Sequence, residues 1–117
     1  MVAIIEDDEP YRGAVQRLLK SAGISAQAFS CAEEFINSGL QRETRCLIAD
    51  IRMPGISGLD LQARLNSDGY PIPTIFITAH GDEKMRLQAM RAGAVSFLMK
   101  PFDGETLLEA VRVALQD

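Results

Sequence analysis

The chain has a single histidine, His80, and only two cysteines, Cys31 and Cys46. The cysteines lack Cys-x-x-Cys spacing and no Cys/His cluster accompanies them. Zinc is therefore excluded, and both thiols are expected to be reduced, buried and structural. No apolar run approaches the ~20 residues that span a bilayer. Met1 to Ile5 is apolar but ends at once in Glu6-Asp7-Asp8, which a secretory leader does not do. A cytoplasmic protein without membrane contact is expected. A basic surplus is also missing: the net charge is −4, whereas gripping nucleic acid requires a basic face to neutralise phosphates. Internal repeats, linkers and low-complexity segments are absent too.

What remains is an ordinary globular composition, 47% hydrophobic and 24% charged over 117 residues, the size of one domain. The stretch Leu47-Ile48-Ala49-Asp50-Ile51-Arg52-Met53-Pro54-Gly55 organises it. Its apolar start, from Cys46 to Ala49, reads as a strand buried on both faces, as in parallel sheets. Asp50 ends the run, and Met53-Pro54-Gly55 breaks the chain. Ligands of open parallel sheets bind outside the carboxyl ends of the strands, so Asp50 is a candidate for chemistry. Taken alone, it is equally an Asx-type turn residue.

The rest of the chain alternates in the same way. Val2 to Ile5 reads as a first strand, followed by a helix with Pro10 in its first turn and Gly23 at its end. Ile24 to Phe29 is a weaker, partly alternating strand suited to a sheet edge. Ser30-Cys31-Ala32-Glu33 has the form of a capping box for a short helix that stops near Gly39. After the third strand, Gly58 to about Asp68 is helical, with Leu61 and Leu65 inward. Pro73 to Ile77 is a fourth strand, and Asp82 caps a helix to Ala92. Ala94 to Met99 is a fifth strand. Asp103 caps a last helix with Leu107, Leu108, Val111 and Leu115 on one stripe. Met53, Met85, Met90 and Met99 read as packing residues. Five such alternations predict a doubly wound α/β sheet.

Several strands would deliver polar groups to one rim. The first ends in Glu6-Asp7-Asp8, the third in Asp50, the fourth in Thr78-Ala79-His80-Gly81 and the fifth in Lys100-Pro101. Two carboxylates ~4 Å apart at an effective dielectric of ~20 repel by about 4 kcal/mol. Lys100 offsets part of this and a divalent cation the rest. An all-oxygen ligand set with room for waters suits Mg²⁺, with Mn²⁺ as substitute. A carboxylate beside such an ion, a lysine and a hydroxyl is equipped to accept a phosphoryl group.

At these residues the chain resembles the receiver domains of two-component response regulators over essentially its whole length. The motifs are the acidic cluster, Asp-x-x-Met-Pro-Gly, Thr-Ala and Lys-Pro-Phe, each after its own strand. The resemblance implies a flavodoxin-like (βα)5 fold with strand order 2-1-3-4-5. It makes Asp50 the phosphoacceptor and Asp7 the direct Mg²⁺ ligand, with Glu6 acting through water and the Arg52 backbone carbonyl as a third ligand. Asp8 is the alternative ligand in a shifted register. Thr78 and Lys100 would hold the phosphoryl group, Phe97 would be the switch aromatic, and the bond before Pro101 would be cis. His80 is a loop residue that could influence water access to the acyl phosphate.

Cys31-Ala32-Glu33-Glu34-Phe35, Thr78-Ala79-His80-Gly81-Asp82 and Lys100-Pro101-Phe102 look most like the FixJ/NarL-type branch, whose members usually carry a C-terminal helix-turn-helix. Residues 1–117 are expected to be receiver alone, so DNA would be reached only through an effector domain outside them. The implied function is regulatory rather than enzymatic, limited to self-catalysed phosphorylation from a sensor histidine kinase and slow autodephosphorylation. Phosphorylation is expected to favour a homodimer through the face carrying Lys84, Arg86, Arg91, Glu105, Glu109 and Arg112.

Three other readings fit less well. A phosphatase of the haloacid-dehalogenase type wants an acid two residues after its nucleophile, where this chain has Arg52. A flavodoxin-like cofactor module would have its FMN phosphate repelled by the acidic first loop. A degenerate receiver would lack part of the Asp7, Asp50, Thr78 and Lys100 set, which is intact here.

Overall fold

The computed structural model describes residues 1–79 and 81–116, so His80 lies outside the described residues. Five strands alternate with five helices: β1 (Val2–Ile5), α1 (Glu9–Ser21), β2 (Ala26–Phe29), α2 (Ala32–Ser38), β3 (Cys46–Asp50), α3 (Gly58–Ser67), β4 (Thr74–Thr78), α4 (Glu83–Arg91), β5 (Ser96–Met99) and α5 (Gly104–Leu115). A short 3₁₀ turn at Gln41–Glu43 precedes β3. The strands form one parallel sheet in the order β2-β1-β3-β4-β5, the doubly wound arrangement expected from the sequence. Among the described residues, no helix is long and apolar enough to cross a membrane.

The apolar runs are continuous because both faces of the sheet are covered. Val2, Ile4, Ile48, Ile75 and Ile77 share a core with Leu19 of α1 and with Leu107 and Val111 of α5. Their neighbours in sequence, Ala3, Ile5, Leu47, Ala49 and Phe76, join the opposite core with Phe35 of α2 and with Leu61 and Leu65 of α3. Each fully buried leucine or phenylalanine contributes about 1.5–3 kcal/mol relative to exposure. This double burial holds the strands rigid, and the rigid strands fix where their carboxyl ends lie.

Local details depart from expectation where tertiary partners intervene. β2 starts at Ala26 because the Ile24 N–H closes α1 instead, donating to the Leu19 carbonyl at 2.9 Å beside Gly23 at φ +75°. Asp82 caps α4 as expected, accepting from the Met85 N–H at 2.8 Å. The capping box at α2 does not form. Cys31, which is half-buried, takes the N-cap position, and the Ser30 hydroxyl donates to Glu34 at 2.9 Å while Glu33 turns to a distant loop. Asp103 sits at the N-cap of α5 without accepting a backbone N–H; its carboxylate accepts from the Thr106 hydroxyl at 3.5 Å. Ala114, not Leu115, completes the buried stripe of α5.

Two of the four methionines read as packing residues are surface groups: Met90 is 37% exposed and Met99 46%. α4 buries only Ala89, and β5 is an edge strand, so neither side chain is covered. Two amides of α3 hold α4 from its C-terminal side. Gln62 donates to the Ala89 carbonyl at 3.5 Å and Asn66 to the Ala92 carbonyl at 3.2 Å.

Gly58 opens α3 directly under the end of β3, where a Cβ would fall 2.4 Å from the Asp50 carbonyl oxygen and 3.0 Å from the Ile51 Cα. Both obstacles are backbone and cannot swing aside. Gly58→Ala should therefore destabilise the fold by about 1–3 kcal/mol, read as a lowered urea midpoint. A midpoint equal to wild type would show that the approach of α3 to β3 is not close.

Candidate functional site

The carboxyl ends of β1, β3, β4 and β5 meet at one rim, and three of them are joined by a single ammonium. Lys100, which follows β5, reaches past β4 to Asp50 Oδ2 at 2.9 Å and to Glu6 Oε1 at 2.5 Å. Glu6 is fully buried and Asp50 is 6% exposed. The ammonium also lies 4.3 Å from the centroid of the Tyr11 ring on α1, a cation–π contact that supports the charge from its far side. The peptide bond between Lys100 and Pro101 is cis, as the resemblance implied.

Every oxygen of the two acids has local company. The second Asp50 oxygen, Oδ1, accepts the Arg52 N–H at 3.1 Å. Glu6 Oε2 accepts the Asp8 N–H at 3.2 Å, and the Glu6 carbonyl accepts from the Arg12 guanidinium at 2.9 Å. Glu6 Oε1 has its ion pair with Lys100 but no hydrogen bond.

Burial pushes the Glu6 carboxyl up to about 7, with the Asp50 charge adding to the rise; Lys100 and the Asp8 N–H pull the other way. Burial alone would lower Lys100, but its close contacts with the Glu6 and Asp50 carboxylates outweigh this and raise it.

Asp7 stands on the exposed side of the cluster. One oxygen from each of Glu6, Asp7 and Asp50 can be chosen so that all lie within 4.8 Å of one another. Three carboxylates at that spacing fit a hard divalent cation that keeps part of its water shell. Asp8 presents its backbone N–H to Glu6.

Thr78 ends β4 almost wholly buried, and its carbonyl accepts the Lys100 N–H at 2.8 Å. Phe97, half-buried on β5, lies beside Thr78 across Gly81. A Cβ on Gly81 would come within 2.7 Å of the Phe97 ring and 2.8 Å of the Thr78 methyl. Gly81 thus packs against both the aromatic ring and the Thr78 side chain.

The structure brings Glu6, Asp7, Asp50, Arg52, Thr78 and Lys100 to this rim, with Phe97 next to it. Sequence reading missed Tyr11 and Arg12. Tyr11 falls at helical spacing with Ala14, Val15 and Leu18, as a packing residue would, and Arg12 carries no motif. Their position in the first turn after the acidic loop is the signal that could have found them.

The Glu6 titration has a sign that can be worked out. Folded protein keeps the Glu6 proton up to about 7, whereas an ordinary carboxyl releases it near 4.5. The folded state therefore binds more protons between those values, and the contribution to stability is lost as pH rises through that window. Chemical denaturation of metal-free protein from pH 4 to 8 should show this decline, and Glu6→Gln should flatten it. Parallel pH profiles for the two proteins would remove Glu6 as its source.

Comparison with known proteins places this geometry. Residues 2–112 match the family model for the response regulator receiver domain. The response regulator protein TodT of Pseudomonas putida is 45% identical over 116 residues, covering 99% of this chain and 51% of TodT. The transcriptional regulatory protein FixJ of Azorhizobium caulinodans is 40% identical over 114 residues, covering 97% of this chain and 54% of FixJ. The chain thus spans about half the length of these curated relatives. Among solved structures, that of FixJ-N superposes with a TM-score of 0.87 at 37% identity, covering 98% of this chain and 92% of the other. That of the response regulator StyR gives 0.91 at 43%, covering 98% and 58%.

Proposed function

The chain belongs to the response regulator receiver domain family, and from that footing we propose that it is a phosphorylation-controlled switch in which Asp50 takes a phosphoryl group from a sensor histidine kinase. The observation that carries this reading is the setting of Asp50. It ends a rigid central strand, one oxygen on the Lys100 ammonium and the other on the Arg52 N–H, beside the Glu6–Asp7 pair.

The chemistry follows from that setting. Lys100 and the Arg52 N–H orient the Asp50 carboxylate so that one oxygen can attack the phosphorus of a phosphohistidine in line. The new P–O bond forms as the P–N bond breaks, and the imidazole departs with the bonding electrons. Mg²⁺ held by Asp7, Asp50 and the Arg52 carbonyl, with Glu6 through water, would neutralise charge on the transferring phosphoryl oxygens. Lys100 then passes from the carboxylate to a phosphoryl oxygen, and the Thr78 hydroxyl donates to another. Water then attacks the phosphorus slowly, releasing inorganic phosphate and restoring the Asp50 carboxylate, and the domain is a regulator rather than a turnover enzyme.

Output follows from contact between Thr78, Gly81 and Phe97. A phosphoryl group adds about −1.5 to −2 of charge and fresh acceptors. Thr78 moves toward it, and Phe97 turns into the space released beneath the loop after β4. α4 shifts against β5, a local charge event biasing a two-state element. The α4–β5–α5 face carries Lys84, Arg91 and Glu105, with Arg86 already paired to Glu83 at 2.5 Å and Arg112 to Glu109 at 3.9 Å. Leu87, Met90, Met99 and Val113 are its exposed apolar residues. We assign this face to homodimerisation in the phosphorylated state. Control of transcription would pass through a DNA-binding effector domain beyond these residues, in the cytoplasm.

Intact mass after incubation with acetyl phosphate and Mg²⁺ should show one phosphoryl increment that Asp50→Asn abolishes. Stoichiometric labelling of Asp50→Asn would refute the assignment.

Sedimentation with beryllofluoride and Mg²⁺ should show a shift from monomer to dimer. Thr78→Ala and Phe97→Ala should weaken the shift while keeping Asp50 able to react. A protein that stays monomeric in both states would remove this face as the output.

A further inference from the structure

The acceptor loop is held from an unexpected side. Glu33, in the first turn of α2, sends its carboxylate to the loop between β3 and α3, where Oε2 accepts the Ile56 N–H at 3.4 Å. Among the described residues Oε1 is buried with no hydrogen-bond partner. Burying a carboxylate oxygen in that condition opposes folding, so its presence calls for an explanation. The neighbouring residue, Gly55, accommodates it twice over. Its φ of +79° suits glycine, and a Cβ there would come within 2.2 Å of Glu33 Oε2 and 3.1 Å of Cδ.

The loop so held is closed at its base and gripped at its tip. At the base, the Gly58 N–H donates to the Ile51 carbonyl at 2.9 Å. At the tip, Glu33 holds Gly55 and Ile56. Between them lies Arg52, whose N–H binds Asp50 Oδ1 at 3.1 Å and whose carbonyl is the proposed third metal ligand. A carbonyl in a loop tied only at its base could swing away from the cation. A second tie three to four residues further on removes that freedom, which lowers the ordering cost of binding.

We propose that Glu33 is a positioning residue of the phosphoacceptor site, clamping the loop tip so that the Arg52 backbone stays aimed at Asp50 and the cation. Its action is indirect: the carboxylate touches the loop and none of the reacting atoms. The proposal rests on the reading of this rim as a Mg²⁺ and phosphoryl site.

The role depends on an acceptor oxygen more than on charge, so the amide should replace the acid. Calorimetric titration of the full chain with MgCl₂ tests this, with urea midpoints measured alongside. Glu33→Ala should weaken Mg²⁺ binding about fivefold, the equivalent of one ordinary hydrogen bond. Glu33→Gln should stay within about twofold of wild type by the same measure. Gly55→Ala, which puts a methyl where the carboxylate lies, should weaken binding similarly, and the double variant should lose little more than either alone.

A folded Glu33→Ala with wild-type Mg²⁺ affinity would overturn the proposal, even if its urea midpoint fell. Should that variant not fold, unchanged affinity in Gly55→Ala would overturn it equally. Wild-type protein that takes up no Mg²⁺ would instead overturn the reading of the rim itself.

Discussion

At the carboxyl edge of the sheet, Lys100 stands between Glu6 and Asp50, and among the described residues its ammonium is the positive charge paired with both of these buried carboxylates. The three residues follow or end β5, β1 and β3, so the contact crosses β4 and ties strands that are not all neighbours. Removing one partner from such a buried set costs about 3–5 kcal/mol, because the charge left behind has no water to turn to. The Tyr11 ring closes the far side of the ammonium. The arrangement is also a competition. Glu6 and Asp50 share one cation, so any negative charge gained at Asp50 draws Lys100 away from Glu6. On the proposed function, the rim would register phosphorylation because its two buried acids share the Lys100 ammonium.

Much of this was legible from the order of residues, for a physical reason. A strand buried on both faces must be apolar throughout, so its end is marked by the first polar residue. That rule located Glu6, Asp50 and Thr78, and parallel alternation then sent those ends, with Lys100 after the edge strand β5, to one rim. Glycines at helix ends marked the boundaries of α1 and α2, and Asp82 marked the start of α4. What stayed hidden depended on partners distant in the chain. The Ser30–Glu33 pattern is locally a capping box, but Glu33 finds the Ile56 N–H 23 residues away and leaves the cap. Tyr11 fits an apolar helix stripe, yet its ring serves Lys100. Met90 and Met99 read as core until α4 is seen to bury one small side chain and β5 to lie at an edge.

The two layers of helices are unequal in a way that bears on the proposed switch. α1 and α5 contribute several buried side chains to their face, and α3 contributes Leu61 and Leu65 to the other. α4 contributes Ala89 alone. An element with so little buried apolar surface belongs to the low-stability end of a structure, where rearrangement is least opposed. The helix beside Thr78 and Phe97 is thus also the helix with least to hold it in place.

The two amides of α3 give that weakness a direction. Gln62 and Asn66 grip the carbonyls of Ala89 and Ala92 at the C-terminal end of α4, while Asp82 opens the other end next to the loop from Thr78. A rod fastened at one end pivots; it does not slide. At 1.5 Å per residue, the nine residues of α4 span about 13 Å, and a tilt of roughly 10° carries the free end through about 2 Å while the fastened end stays nearly still. In the proposed switch such a swing would be largest around Lys84 and fade toward Arg91, so a partner resting on this surface would feel a change of angle more than a change of distance.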